Sequence, residues 1–267
     1  MRIMKFGGTS VGTGSAIDRT ATILATAQRE EGPIVAVVSA MSGITNLLLD
    51  TAERAAQGQV IDPAEFRWAL SERHLAVVGE LIRDPHRSAE VSSAISALAE
   101  RCARLIESVQ VLEDLSPRVR DWIVSFGERM CATLVAAVLA DRAVPSEPVE
   151  SDRLIVTDSD YGNGSPMPDQ TRELVAKNLR PVVDRGVLPV VTGFFGANSD
   201  GVTVTLGRGG SDFSAAILGN ALDAEEVVIW TDVDGVMTAD PRLVREARTL
   251  PSVTYAEARE LAYFGAK

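Results

Sequence analysis

Short β-branched runs alternating with longer amphipathic stretches constrain this chain more than any other feature of its sequence. Residues 1–6, 33–38, 187–192 and 225–231 are dense in apolar residues, and each leads into a glycine, serine or aspartate cluster. Between them, apolar residues recur at helical spacing over 15–30, 44–57, 63–83, 89–112, 118–141 and 170–185, and again over about 213–222. Strand alternating with helix predicts a mostly parallel sheet covered on both faces. Residues 60–141 are almost wholly helical in pattern and are expected to form an insertion or lid on that sheet. Asp200-Gly201, between the runs 194–197 and 202–206, predicts one hairpin. Residues 157–168, with Gly162, Gly164, Pro166 and Pro168, predict a surface loop. No repeat, low-complexity tract or linker divides the chain, so one domain with two lobes meeting near residue 195 is expected.

Composition narrows the function classes. With 46% apolar and 24% charged residues the chain can bury a core, while a formal charge of −11 disfavours nucleic-acid partners and anionic membranes. Aromatic residues make up 5%, too few for base-stacking platforms. Cys102 and Cys131 share no pairing or metal motif and read as buried small hydrophobes. Together with an N-terminus that enters a strand at once, they predict a reducing, cytoplasmic setting. The longest apolar stretch, 130–140, ends at Asp141 and is expected to be too short for a bilayer. His74 and His86 are too sparse for a metal-ligand set and are expected on the surface of the helical block.

Five segments carry chemistry. In Lys5-Phe6-Gly7-Gly8-Thr9-Ser10-Val11-Gly12, small residues close a strand ahead of a helix. Gly7 and Gly8 make either a plain turn or a cradle whose N–H groups approach an anion. Lys5, a cation inside an apolar strand, requires a partner. It precedes the glycines, so the segment is not a Walker A loop. Ser39-Ala40-Met41-Ser42-Gly43-Ile44-Thr45 opens the next helix, where Ser42 is expected to cap and Ser39 and Thr45 either cap or hold an anionic ligand. In Phe126-Gly127-Glu128-Arg129-Met130, Gly127 costs a helix about 1 kcal/mol against alanine, which implies a close approach to its backbone. Glu128 alone reads as a surface residue; beside a bound amino acid it would pair with an ammonium group.

Leu206-Gly207-Arg208-Gly209-Gly210-Ser211-Asp212 interleaves glycines with one arginine directly before a helix, an arrangement suited to anions. Arg208 can grip a carboxylate with both arms of its guanidinium, which a lysine cannot. Asp212 either complements the helix dipole or organises substrate or metal, and the second reading is favoured. Trp230-Thr231-Asp232-Val233-Asp234-Gly235 ends a buried strand at the edge where open α/β sheets bind ligands. Thr231, Asp232 and Arg242 are candidates for ribose and phosphate contacts, and Asp234-Gly235 for a turn.

In this order and spacing the segments resemble the aspartate kinases of the amino acid kinase family. The resemblance rests on Lys-Phe-Gly-Gly-Thr-Ser-Val at 5–11, Ser-Ala-Met-Ser-Gly-Ile-Thr-Asn-Leu-Leu at 39–48 and Phe-Gly-Glu-Arg-Met at 126–130. It continues through Gly-Phe at 193–194, Thr-Leu-Gly-Arg-Gly-Gly-Ser-Asp at 205–212, Trp-Thr-Asp-Val-Asp-Gly-Val at 230–236 and Phe-Gly-Ala-Lys at 264–267. It implies a three-layer α/β/α sandwich, with an acceptor-binding lobe over about 1–195 and an ATP-binding lobe over about 196–267. The implied reaction moves the γ-phosphoryl group of ATP, with Mg²⁺ carried by the nucleotide, to the β-carboxylate of L-aspartate. That is the first step towards lysine, threonine and methionine.

The same resemblance distributes roles. Lys5, Asp212 and Lys267 would be catalytic, with Lys5 neutralising charge on the moving phosphoryl group. Ser39, Thr45, Glu128, Arg208 and Ser211 would hold the acceptor, Arg208 by its α-carboxylate and Glu128 by its amino group. Gly7, Gly8, Gly207, Gly209, Thr231, Asp232, Met237 and Arg242 would serve the nucleotide; at Met237 the family usually has tyrosine. The family continues past Phe-Gly-Ala-Lys into paired regulatory ACT domains, so a longer parent chain is expected, with a homo-oligomer allowed. The competing readings are a kinase of glutamate or acetylglutamate and an inactive nucleotide- or amino-acid-binding module.

Overall fold

The computed structural model describes residues 1–233, 235–240 and 243–263, the side chains of 262 and 263 excepted. The chain begins β1 (Arg2–Phe6), α1 (Gly14–Glu30), β2 (Ile34–Val38). Four helices follow: α2 (Ile44–Ala56), α3 (Pro63–Leu81), α4 (Pro85–Leu112) and α5 (Pro117–Asp141). Then come β3 (Ser146–Val149), α6 (Pro168–Asn178), α7 (Arg180–Asp184), β4 (Leu188–Thr192), the hairpin β5 (Phe195–Ala197) and β6 (Thr203–Thr205), α8 (Gly210–Ala221), β7 (Glu226–Trp230) and α9 (Tyr255–Tyr263). The described chain groups by contacts into two units, divided between Trp230 and Thr231.

In the first unit five parallel strands form one sheet in the order β3-β4-β2-β1-β7. The period of two along each strand separates two cores. Met4 and Phe6 of β1, Ile34, Ala36 and Val38 of β2, and Leu188 and Val190 of β4 bury against α1 to α5. Ile3, Val35, Val37 and Val191 point the other way, against α6, α7 and α8. This is the expected three-layer α/β/α sandwich.

Sequence punctuation cuts the helical block. Asp62-Pro63, Asp84-Pro85 and Ser116-Pro117 each place a capping side chain before a proline at the first helical turn, where the missing N–H costs nothing. The block is not a lid: α5 is a core helix, with residues 123–132 buried without a break, and it packs against β3, β4 and β6. The stretch 130–140 lies inside it. By length and composition α5 is apolar enough to cross a bilayer, with mean hydropathy 1.6, but 89% of that window is buried within the fold.

Other expectations need correction, and one strand lay outside the expected set. Residues 170–185 form two helices because Pro181 has no N–H to continue the first. Strand β3 carries Pro148 and lacks an apolar run; it is tolerated because it lies at the sheet edge. His74 is fully buried, its Nδ1 against Leu70 O at 3.2 Å and its Nε2 without a partner among the described residues, and burial lowers its pKa to about 4. His86 is exposed, and Cys102 and Cys131 are buried free thiols whose pKa burial pushes up. The hairpin forms as expected, with Gly201 at φ +73° and the Asn198 carboxamide oxygen accepting from the N–H groups of Asp200 and Val202. Residues 157–168 do not run free over the surface. Gly164 lies so close to Val204 of β6 that a Cβ there would come within 2.7 Å of Val204 Cγ1.

Candidate active site

A cleft of about 330 Å³ opens at the carboxyl ends of β1 and β2, where the loops leading to α1 and α2 meet the loop that opens α8 in the opposite layer. Its lining includes Lys5, Gly8, Ser39, Thr45, Glu128, Gly209, Ser211 and Asp212, eight of the residues singled out from the sequence. A larger cavity of about 730 Å³ runs beside edge strand β3 and holds none of them. The smaller cleft is the better candidate because cation, carboxylate and glycine loops converge there.

Lys5 sits on the α8 face of β1. Its Nζ lies 2.6 Å from Asp212 Oδ1, in the first turn of α8, so the partner that a strand lysine requires comes from the opposite loop. The lysine side chain is 10% exposed and the aspartate 52%. The ammonium passes over Gly7, where a Cβ would stand 3.4 Å from Nζ. The helix after this loop begins only at Gly14, capped by Thr13, so the Gly7-Gly8 turn does not sit on a helix N-terminus as expected.

Ser42 does not cap α2. Gly43 takes the N-cap position at φ +86° without a side-chain hydrogen bond. Gly127 explains itself: a Cβ there would come within 2.7 Å of Ala40 Cβ and 3.3 Å of Ile44 Cγ2, so the β2–α2 loop is what approaches the helix. One residue on, Glu128 is 3% exposed and not a surface residue. Its Oε1 accepts from the Ala40 N–H at 3.1 Å, while Oε2 is buried without a partner among the described residues. Burial raises its pKa to about 8 against the opposing pull of the Ala40 N–H and of Arg129.

The second glycine loop holds Gly207 and Gly209 at φ +77° and +74°, a conformation natural to glycine. Gly210 packs under Phe194, itself at φ +77°, with room for no Cβ beyond 2.9 Å from Phe194 Cδ2. Ser214 locks the pair, its hydroxyl accepting from Phe194 N–H and donating to Gly210 O. Arg208 is exposed, forms no ion pair among the described residues, and lines an adjoining cleft of about 640 Å³ together with Gly207, Phe194 and Asp121. The structure therefore does not bring Arg208 into the Lys5 cleft; Phe194 and Gly209 border both.

Of the remaining candidates, Thr231, Asp232 and Met237 lie in the second unit, where the Thr231 hydroxyl donates to Asp232 Oδ1 and Met237 bridges to Thr249. Arg242 and Lys267 lie outside the described residues. Sequence reasoning missed Asp121, a buried carboxylate that accepts from the N–H groups of Gly162 and Thr205 and from the Thr205 hydroxyl. It also gave no role to Arg129, which meets Glu150 at 2.7 Å and Asp152 at 2.6 Å and lies 4.7 Å over the Phe195 ring. A charge on the apolar face of a helical pattern was the available signal for both.

The amino acid kinase family matches residues 1–267. The chain belongs to that family. This amino acid kinase is 36% identical to aspartokinase 1, chloroplastic, of Arabidopsis thaliana over 99% of its own length and 46% of the relative's. It is equally similar to lysine-sensitive aspartokinase 3 of Escherichia coli strain K12, covering 56% of that protein. Among solved structures, E. coli aspartokinase III in complex with aspartate and ADP superposes with a TM-score of 0.88 at 35% identity, over 100% of this chain and 57% of that one. The chain spans about half the length of the curated relatives it matches.

Proposed function

We propose that this amino acid kinase transfers the γ-phosphoryl group of ATP to the β-carboxylate of L-aspartate. The observation that carries the reading is Glu128 Oε2, a buried carboxylate oxygen without a partner among the described residues, in the cleft that also holds the Lys5 ammonium. An amino acid acceptor satisfies both at once, its ammonium on Glu128 and its reacting carboxylate towards Lys5. The likeness to aspartokinases supports aspartate over longer acids.

A carboxylate oxygen of the acceptor attacks the γ-phosphorus, the bond from phosphorus to the β,γ-bridging oxygen breaks, and ADP leaves. The acceptor's ordinary pKa of about 3.9 leaves it ionised at neutral pH, so no general base is needed. The obstacle is bringing one anion against another, which makes alignment and charge neutralisation the work of the site. Lys5 supplies the cation, the glycine loops supply N–H groups, and Asp212 holds Lys5 in place. Ser39, Thr45 and Ser211 face the acceptor, and Arg208 reaches its α-carboxylate only if the 207–209 loop turns it from the adjoining cleft. In this reading Gly7, Gly8, Gly207, Gly209, Thr231, Asp232, Met237, Arg242 and Lys267 serve the nucleotide, on the strength of the family resemblance.

Mg²⁺ is assigned to the nucleotide phosphates on the strength of the family resemblance. Bound there, it would offset phosphate charge. A coupled ADP-release assay with ATP, Mg²⁺ and hydroxylamine as trap tests the proposal. Turnover is expected with L-aspartate and not with glutamate or acetylglutamate; turnover with either of the latter alone would overturn the acceptor assignment.

A further inference from the structure

We propose that Arg73 is a positioning residue for the cleft, fixing from α3 the two loops that follow β1 and β2 and so aiming the Gly43 N–H at the acceptor. As to the acceptor, the inference rests on the function proposed above; as to the loops, it stands on geometry alone.

The Arg73 guanidinium donates through Nη1 to Ser42 O at 2.6 Å and through Nη2 to Gly12 O at 2.8 Å. One planar group thus holds a carbonyl from each loop, and no carboxylate neutralises it among the described residues. Arg73 is not itself among the cleft residues; it grips the loops from the helical layer. The loops it joins are already in close contact. A Cβ on Gly8 would come within 3.0 Å of Ala40 O, and one on Gly12 within 3.0 Å of Ser42 Oγ. Small residues let the loops touch, and Arg73 sets where.

The chemical consequence follows from the peptide plane. All described peptide bonds are trans, so the carbonyl of Ser42 and the N–H of Gly43 point in opposite directions. With the carbonyl held towards α3, the N–H turns away from it, and Gly43 lines the cleft. That N–H donates to no group among the described residues. A charge-assisted bond to the carbonyl also polarises the same peptide and strengthens its N–H as a donor. Gly43 stands at the N-terminus of α2, so the free N–H joins the positive end of that helix. An arginine is required because the two carbonyls sit on different loops, and a lysine ammonium is a single point that cannot span them in fork geometry.

The test uses the 267-residue chain with Arg73→Met and Arg73→Lys. In Arg73→Met, amide hydrogen exchange over residues 8–14 and 40–46 should rise at least about tenfold, the factor that loss of one charge-assisted hydrogen bond corresponds to. Exchange in β1, β2 and α5 should not change. The KM for L-aspartate should rise about tenfold at saturating ATP while the KM for ATP stays within about twofold, a split that simple loosening of the fold does not give. Arg73→Lys should release one loop and retain the other, and it decides the matter if Arg73→Met does not fold. Exchange at wild-type rates in both loops would overturn the proposal, as would a rise spread evenly over all strands. An effect confined to the ATP requirement would overturn the assignment of Gly43 to the acceptor. Absence of turnover in the unmutated chain would count against the proposed activity and leave the exchange measurement to decide on Arg73.

Discussion

Replacing Glu128 by glutamine should stabilise the empty protein and cripple the site, and pH separates the two effects. The amide keeps the side-chain shape and can still accept from the Ala40 N–H, but it cannot ionise. Burial sets the folded-state pKa of Glu128 at about 8 against an ordinary 4.5. A raised pKa means that the residue's contribution to stability is intact below about pH 4.5 and is lost as the pH climbs through about 8. Over that interval the folded chain must either hold a proton that the unfolded chain has released or bury the charge, and each pH unit costs about 1.4 kcal/mol. Between pH 5 and pH 7 the wild-type chain should therefore lose about 2–3 kcal/mol relative to Glu128→Gln. Arg129, Cys131, Lys5 and Asp212, the other titratable groups near the site, are common to both chains, so the difference isolates residue 128. Urea unfolding of both chains without ligand at pH 5, 6 and 7 measures it. Parallel pH profiles would refute the claim that Glu128 is buried at a cost. The same variant should bind L-aspartate at least about tenfold more weakly by calorimetry, because an amide N–H cannot accept from an ammonium group.

Further outcomes are expected at three other positions. Lys5→Met should lower turnover by about 10²–10³, the usual effect of losing one charge-stabilising group, while far-UV dichroism and melting stay near wild type because its partner Asp212 is half exposed. Arg208→Lys should raise the aspartate requirement about tenfold and leave ATP saturation alone if the 207–209 loop brings the arginine to the acceptor; the reverse pattern, read from initial rates, would place it on the nucleotide. Gly127→Ala gains about 1 kcal/mol of helix propensity but drives a methyl to 2.7 Å from Ala40 Cβ, so a net loss of about 1–2 kcal/mol in denaturant unfolding is expected.

Much of the fold was legible because its signals are local. The four apolar runs became β1, β2, β4 and β7 within a residue at each end; β1, β2 and β4 are buried and advertise themselves, whereas β7, expected to be buried, lies at the sheet edge with four of its five residues exposed. The Asp-Pro and Ser-Pro pairs mark the helix starts, yet the pair at 84–85 was passed over, so α4 begins at Pro85, ahead of the expected 89. Strand β3 was silent because an edge strand needs only one neighbour and tolerates proline. Within the site, Gly127 announced a close approach, and the structure names Ala40 and Ile44 as what approaches. The depth of Glu128 and His74 could not be read, because burial of a lone polar residue depends on which helix covers it. Arg73 was invisible for a related reason. Its partners are backbone carbonyls 31 and 61 residues away, and carbonyls leave no mark in a sequence.

The Lys5–Asp212 pair gives the cleft a cation whose charge is already shared. Asp212 takes one of the three ammonium donors at 2.6 Å and leaves the others for a visitor. A stray monoanion arriving there meets an ammonium half neutralised and a carboxylate that repels it, so it gains little. A polyphosphate with several charges and a second grip on the glycine loops gains more than that repulsion takes away. The aspartate thus filters visitors by charge while it keeps the lysine aimed.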